Sequence, residues 1–155
     1  MYDRILVPTD GSDVAETAVD QAVDIASKYG ADVHALYIAD TDAIAYSLGV
    51  EQVDRIRQGK FGEMTELQEK AEAATGYVRE QGEKHGLDVT EHHAGGQPHD
   101  MIADYAEDHD VDLIVMGSHG RAGVRRALLG SVTERTLRST HVPVLVVDYR
   151  GAQEE

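Results

Sequence analysis

Val111-Asp-Leu-Ile-Val-Met-Gly117 is a short apolar run that stops at a glycine, and a glycine-containing segment follows it as far as Gly130. So continuous an apolar run is typical of a strand whose two faces are both buried, as in a parallel sheet covered by helices. Working outward from it, the chain supplies four more candidate strands. Three are equally apolar and the last is weaker: Arg4–Pro8, Ala31–Ile38, Val142–Val147 and Leu87–Ala94.

Helical periodicity separates these strands. The apolar side chains of residues 12–29 recur every three or four positions, and Gly30 follows as a stop signal. Similar patterns predict helices over 64–85, 98–106 and 131–139, whereas 39–60 is ambiguous. The alternation predicts an α/β protein with an open five-stranded parallel sheet and helices on both faces. Placing the glycine segment where the winding reverses gives the strand order 3-2-1-4-5, with the polar third strand at an edge.

Length and composition bound the class of protein. A chain of 155 residues fits a single domain, which we place at 1–149 with a C-terminal tail at 150–155. No apolar run approaches the ~18 residues of a transmembrane helix, and the first residues lack the layout of a signal peptide. We therefore expect a cytoplasmic protein with no membrane partner. The absence of cysteine excludes disulfides, thiolate nucleophiles and cysteine zinc sites.

The formal net charge of −15 is the strongest compositional signal, and only four of the basic residues are lysines. General electrostatic binding to nucleic acid or to anionic membranes is excluded, because their phosphates would be repelled. An acidic surface with few lysines also stays soluble in concentrated salt, where repulsion between charges is screened. The sequence supports two alternatives here: a halophilic source, or an ordinary acidic cytoplasmic protein.

Two loops carry residues suited to ligand binding, and both follow predicted strands, where ligands of open parallel sheets bind. The first is Pro8-Thr9-Asp10-Gly11-Ser12; the second begins at Gly117 and runs on to Thr133. Glycine backbone and the start of a helix attract phosphate, and the Ser131 and Thr133 hydroxyls add donors. Five arginines fall within residues 121–138, where Glu134 is the only acid, which suggests a local anionic ligand.

A purely conformational interpretation of these loops stays open. Glycines are common in loops and serines at helix starts, and arginines can pair with this protein's many carboxylates. Asp10 could likewise serve only to cap the helix that follows it. Neither a Walker A motif nor a G-x-G-x-x-G is present, which excludes the standard NTPase and dinucleotide sites.

Gly117-x2-Gly120-x9-Gly130-Ser131 resembles the nucleotide-binding signature of the universal stress protein family. The strands on either side of it, the opening Arg4-Ile-Leu-Val-Pro-Thr-Asp-Gly-Ser12 and Gly96-Gln-Pro98 are also similar to that family. The resemblance spans nearly the whole chain except 41–62. It implies a Rossmann-like fold, similar to that of adenine nucleotide hydrolases, and it implies the ATP-binding branch of the family, which keeps this glycine pattern.

The resemblance also implies roles for individual residues on the nucleoside side. Asp10, with Pro8 and Thr9 beside it, would contact the nucleoside. Ile38 and Ala39 would line the adenine pocket through side chain and backbone. The sugar would lie against residues at the end of the fourth strand, Met116 and Gly117.

On the phosphate side the resemblance implies a set of backbone N–H donors and neighbouring side chains. The donors would be Gly120, Gly130, Ser131 and Val132, with the Ser131 hydroxyl assisting. His119 and Arg121 would be phosphate neighbours, or would point to solvent. ATP is thus the expected cofactor, with Mg²⁺ or Mn²⁺ carried by its phosphates and water rather than by protein ligands. Adjacent His92 and His93 would project to opposite faces of a strand, which is poor geometry for a shared metal site.

These features favour an ATP-binding stress-response or signalling module whose protein partner the sequence does not identify. The alternative is a slow ATPase or a phosphoryl- or adenylyl-transfer enzyme, for which Asp10 and His119 are the only nearby groups. A pure interaction module without nucleotide is disfavoured by the intact glycine loop. The last strand, 142–147, is apolar on both faces and would form a sheet edge, so we expect a homodimer through it. The alternative is a tail that folds back over that edge.

Overall fold

The computed structural model of the chain describes residues 1–41, 50–58, 65–119 and 129–148. Five strands lie in it: β1 (Arg4–Pro8), β2 (Asp32–Asp40), β3 (Val89–Gly96), β4 (Leu113–Gly117) and β5 (Val144–Val147). They form one sheet in the order β3-β2-β1-β4-β5, and every pairing is parallel. The predicted fold class and strand order are therefore confirmed. The predicted tail at 150–155 lies outside the described residues.

Strand β1 lies in the middle of the sheet, and its apolar side chains are therefore shielded from water. Ile5, Leu6 and Val7 are completely buried. Burying an aliphatic side chain of this kind contributes roughly 1.5–3 kcal/mol. The strand pairs with β2 in the register Arg4↔Asp32 and with β4 in the register Ile5↔Leu113.

Helices cover both faces of the sheet. Their bounds are α1 (Asp13–Tyr29), α2 (Val50–Arg57), α3 (Thr65–Glu83), α4 (Pro98–Asp108) and α5 (Ser131–Ser139). Apolar residues of α1, together with Val78 of α3, pack with Ile5 and Val7 on one face. Ile102 of α4 and Val132 of α5 pack with Leu6 on the other. The two layers of helices that the alternation predicted are thus confirmed.

The ends of α1 show why this segment is a helix of that length. Its N-cap is Ser12, whose hydroxyl oxygen accepts the N–H of Ala15 at 3.3 Å. Its C-cap is Gly30, which has φ +67° and donates its N–H to the Ala26 carbonyl. Only glycine adopts that left-handed conformation without steric cost, so the stop predicted at Gly30 has a backbone cause.

Elsewhere the boundaries move by a few residues. β2 continues to Asp40, two residues beyond the predicted end, and β5 begins at Val144 rather than Val142. The late start of β5 follows from Pro143, which has no N–H to give to the ladder; its carbonyl accepts from Ile114 N–H at 2.9 Å. Within the ambiguous 39–60 stretch, 50–57 are α2, while 42–49 and 59–64 lie outside the described residues.

The two edges of the sheet differ in the way the sequence predicted. β3 forms one edge, and its residues Thr90, Glu91 and His92 are exposed. β5 forms the other edge. Within the described parts of the chain, no helix combines the length and the apolar character that crossing a membrane requires.

Candidate functional site

The carboxyl ends of β1, β2 and β4 meet at one edge of the sheet, where the winding of the chain reverses. From β1 the chain enters α1 on one face, and from β4 it continues to α5 on the other. The loops after two adjacent strands therefore diverge and leave a crevice between them, which is the usual ligand site of such sheets. Residues 8–10, 38–39 and 116–119 all lie at this end of the strands.

The loop after β1 is held by its own side chains. Thr9 donates its N–H to the Leu36 carbonyl at 2.9 Å, and its hydroxyl oxygen accepts the N–H of Gly11 at 3.1 Å. Asp10 Oδ1 accepts the N–H of Ser12 at 3.0 Å. The side chain that caps α1 is Ser12, so Asp10 shapes the turn without being the cap. Asp10 is half-buried at the mouth of the crevice.

The loop after β4 is joined to the start of α5 by two hydrogen bonds. The Thr133 hydroxyl donates to the Gly117 carbonyl at 2.8 Å, and Gly130 donates its N–H to the Ser118 carbonyl at 2.8 Å. Ser118 in turn donates its hydroxyl to Asp148 Oδ1 at 2.9 Å, just beyond β5. These bonds bring both ends of the glycine segment together at the crevice.

Those hydrogen bonds refine the expected roles of two residues. The Gly130 N–H and the Thr133 hydroxyl, both expected to face phosphate, already have acceptors within the protein. Their contribution is to fix the position of α5. In the described part of this loop, the donors that remain are the N–H groups of the first turn of α5, since these have no acceptor inside the helix. Ser131, the first residue of α5, is exposed. The N-cap position is occupied by Gly130, which has no side chain to accept from the first N–H groups of the helix.

Gly130 has a second constraint that its sequence position does not show. A Cβ placed on it would lie 2.9 Å from His119 Cα and 3.2 Å from His119 Cβ. Contacts under 3.0 Å to backbone require the backbone to move, so a side chain at Gly130 would displace His119 before reaching any ligand. His119 therefore lies directly against the start of α5. Its Nδ1 is 3.2 Å from the Ser118 hydroxyl oxygen.

An apolar wall lies beside this helix start. Met116 is buried, and the partly buried Ile38 and Val132 pack against the same cluster, on the face of the sheet that α4 and α5 cover. Ala39 points to the opposite face, where it packs with Ile56. Its side chain is thus directed away from the wall formed by Ile38, Met116 and Val132. An apolar surface next to a group of N–H donors suits a ligand with a flat ring and an anionic end.

The arginine group is only partly placed. Arg138 forms an ion pair with Glu134 at 2.9 Å on the exposed side of α5, which supports the alternative of simple pairing with a carboxylate. Arg135 is exposed on the same helix. Gly120, Arg121, Arg125 and Arg126 lie outside the described residues.

The histidines of β3 face opposite sides of the sheet, which confirms the prediction from strand geometry. His92 stacks obliquely on Tyr105 at 5.4 Å between ring centroids. His93 Nε2 lies 3.0 Å from the Thr75 hydroxyl oxygen, on the side of α3. Among the residues that the structure describes, no group of three or more His, Asp or Glu side chains is arranged to hold a metal ion.

One group of residues escaped the sequence analysis: His34, His92 and His109 gather around Tyr105. They come from β2, from β3, from the residue after α4 and from α4 itself. Most of them lie far apart along the chain, so no local spacing signals the group. Strand alternation alone places His34 on the same face as Leu36 and Ile38, and this is the one clue the sequence holds.

Fold and site together define an open parallel α/β protein with a ligand crevice at the topological switch point. The model of the universal stress protein family matches residues 1–148. The chain belongs to the universal stress protein family.

Individual relatives agree over nearly the full length. Universal stress protein MJ0531 of Methanocaldococcus jannaschii is 36% identical over 148 residues, which are 95% of this chain and 82% of the relative. MJ0577 of the same organism is 34% identical over 98% of both chains. Its solved structure superposes with a TM-score of 0.77, at 31% identity and 98% and 99% coverage.

A universal stress protein from Archaeoglobus fulgidus, solved in complex with dAMP, has a TM-score of 0.63. It is 24% identical, and the match covers 94% of this chain and 98% of that one. At this identity the likeness shows a shared fold.

Proposed function

We propose that the crevice binds ATP and that the protein is a nucleotide-dependent stress-response module. The observation that carries this proposal is the start of α5, which stands beside the apolar wall of Ile38, Met116 and Val132. The adenine would pack on that wall, and the phosphates would accept from the first N–H groups of α5, where the helix dipole favours negative charge. A protein of the same fold has been solved in complex with dAMP, an adenine nucleotide, which supports the proposal.

The remaining residues would then have separate parts. Asp10, half-buried after β1, would meet the ribose, and Gly117 would lie against it. The backbone of Ala39 would read the adenine edge, which favours ATP over GTP. Mg²⁺ or Mn²⁺ would come with the phosphates, and it would offset part of the repulsion between an anion and a chain of net charge −15.

Ser131→Asp tests the phosphate position without endangering the fold. A carboxylate in the first turn of a helix stabilises it by roughly 0.3–1 kcal/mol, yet it would repel a phosphate bound there. We expect calorimetry with Mg²⁺ in high salt to show ATP affinity at least about tenfold weaker, with an unchanged or higher melting midpoint. Ser131→Asn is the matched neutral control and should lose only about 0.5 kcal/mol, a two- to threefold change in affinity.

Two results would contradict the proposal. The first is no heat at millimolar ATP from protein whose folding circular dichroism has verified. The second is equal ATP affinity in the Asp and Asn variants, which would place the phosphates away from α5.

Slow ATP hydrolysis is the second candidate, favoured by the position of His119 against the start of α5. In that arrangement an imidazole could orient water beside the terminal phosphate. ADP formation that disappears in His119→Gln, while ATP still binds, would establish this activity.

We also propose that two copies associate through β5. The strand is the sheet edge, and Leu145 stays 37% exposed on it, with Leu137 of α5 41% exposed. Natural proteins seldom leave an apolar edge bare. A cytoplasmic location and adaptation to high salt remain predictions from composition.

A further inference from the structure

Three histidines surround Tyr105 on the face of the sheet that α4 covers. The His109 ring stacks on the Tyr105 ring at 3.8 Å between centroids and 14° between planes. The rings of His34 and His92 approach the Tyr105 ring at 5.7 and 5.4 Å. We call these four residues the Tyr105 cluster. It joins α4 to β2 and β3.

Hydrogen bonds fix the arrangement of the Tyr105 cluster. The Tyr105 hydroxyl lies 2.7 Å from His34 Nδ1, a short and direct bond between α4 and β2. His109 Nδ1 lies 3.0 Å from the Tyr105 carbonyl oxygen; because a carbonyl only accepts, this nitrogen carries a proton and donates. From β1, Arg4 Nη1 donates to the His109 carbonyl at 2.7 Å. Hydrogen bonds thus connect the cluster with β1, β2 and α4.

The cluster tolerates added positive charge poorly. Tyr105 is only 8% exposed, and His34 and His109 are half-buried beside it. His34 also faces His109 at 5.8 Å between ring centroids, with the guanidinium of Arg4 nearby. Of the charged groups that face His34 within the described residues, the Asp32 carboxylate alone would favour an imidazolium. Two imidazolium rings on one tyrosine would repel each other at this distance.

The pKa values of the strand histidines agree with this geometry. Burial lowers the pKa of His34 below its ordinary value of 6.5; His109 and Arg4 lower it further, and Asp32 opposes them. His92 lies at an exposed position of β3, but its ring packs beside Tyr105, and this partial desolvation lowers its pKa, with His109 and His93 adding to the effect. Both side chains are thus neutral at pH 7.

We propose that the Tyr105 cluster is a proton-sensitive clamp, which holds the C-terminal half of α4 on β2 and β3 while His34 and His92 are neutral and releases it when they are protonated. The clamp is separate from the nucleotide crevice. On β2, His34 precedes Ile38 by four residues on the same face, which is about 13 Å along the strand.

The direction of the pH effect follows from the lowered pKa values. When the pH falls through 6.5, the released histidines take up protons before the clamped ones do. Protonation therefore favours the released state. The clamp contributes its full stability above pH 6.5, and this contribution is lost as the pH falls through the pKa values of the clamped histidines. Because both pKa values are lowered, the loss occurs below pH 6.5.

Hydrogen exchange measured residue by residue tests the clamp on the unmodified chain. Between about pH 7.5 and 5.5, after correction for intrinsic exchange rates, we expect the amide protection of 105–109 to fall. Each histidine contributes about a tenfold fall for every pH unit that separates its pKa in the clamped state from its pKa in the released state. The amides of α1, which packs on the opposite face, are the internal control and should keep their protection. An unchanged α4 overturns the proposal. So does an equal loss in α1 and α4, which would indicate global unfolding.

A double variant isolates the histidines. His34→Asn with His92→Asn removes both titrating rings, while the amide oxygen introduced at position 34 can still accept from the Tyr105 hydroxyl. We expect the pH dependence of α4 protection to shrink in this variant. It should persist in His85→Asn, a matched change at an exposed histidine beyond the end of α3. Parental pH dependence in the double variant overturns the clamp.

Should the double variant fail to fold, NMR titration of the parent decides the question. Midpoints below 6.5 are expected for the His34 and His92 rings. Midpoints at or above that ordinary value for both rings overturn the proposal.

Discussion

The two edge strands of this sheet differ in the side chains that they expose. β3 is polar at its exposed positions, and elements on both faces hold it: α2 and α3 on one side, α4 on the other. β5 has four residues, all of them Val or Leu, and Leu145 is exposed on it. An edge that displays Thr90, Glu91 and His92 can end at water, whereas an apolar edge favours a partner. β3 can therefore face solvent, whereas the apolar β5 supports the proposed self-association of two copies.

Gly95→Ala should destabilise the packing of β3 against α2, and we expect it to have the largest effect of the substitutions at the two edges. A Cβ there would overlap the Ile56 carbonyl oxygen, which belongs to the α2 backbone and cannot rotate away. We expect a loss of about 3 kcal/mol or more in the free energy of unfolding, measured by chemical denaturation. Gly86→Ala is the control: its Cβ would meet nothing within 4 Å, so only its φ of +67° counts, at about 1 kcal/mol. Equal losses would show that α2 does not pack on β3 in this way.

Leu145→Lys tests whether the apolar edge at β5 pairs with a second copy. Placing a charge at the exposed apolar position of β5 should prevent pairing and yield a monomer by light scattering after size exclusion at micromolar concentration. Leu145 is a better site than Val144, which packs into the core of its own molecule. Thr90→Lys makes the matched change on β3 and should leave the mass unchanged. A parent that is already monomeric would contradict the proposed dimer, whereas a Leu145→Lys variant that stays dimeric would place the interface elsewhere.

Glu91→Gln should give the smallest effect. Glu91 accepts from Arg79 Nη1 at 2.9 Å and raises the pKa of that guanidinium, so the pair joins β3 to α3. Because Arg79 is exposed, water and salt screen the interaction. We expect the melting midpoint to drop slightly in dilute buffer and to match the parent in molar potassium chloride. A deficit that persists in high salt would indicate that Glu91 has a packing role beyond its charge.

Much of the fold could be predicted because its signals are local. Burial on both faces makes each inner strand a continuous apolar run, and Gly30 ends α1 through its own φ. The order 3-2-1-4-5 followed from a single assumption, that the glycine segment marks the switch point. The ends of elements were harder to predict where a single residue changes the hydrogen bonding between strands, as Pro143 does at the start of β5.

The site was predicted in outline, and the structure altered the parts that depend on hydrogen-bond partners. The sequence placed Gly130 and Thr133 near an anion, but it could not show that Ser118 and Gly117 accept from them. Nor could it place His119 against Gly130. A donor's partner is decided by groups far away along the chain, and no periodicity encodes that choice.

The amino-acid sequence by itself determined the elements, their alternation, the strand order and the family, because periodicity, capping and glycine spacing act over a few neighbouring residues. Only the tertiary structure decided which N–H groups remain at the start of α5. It alone joined His34, His92 and His109 around Tyr105, since that cluster depends on β2, β3 and α4 packing at one register. Contacts between elements form only when the sheet aligns them, and the physical properties of such clusters therefore belong to the fold.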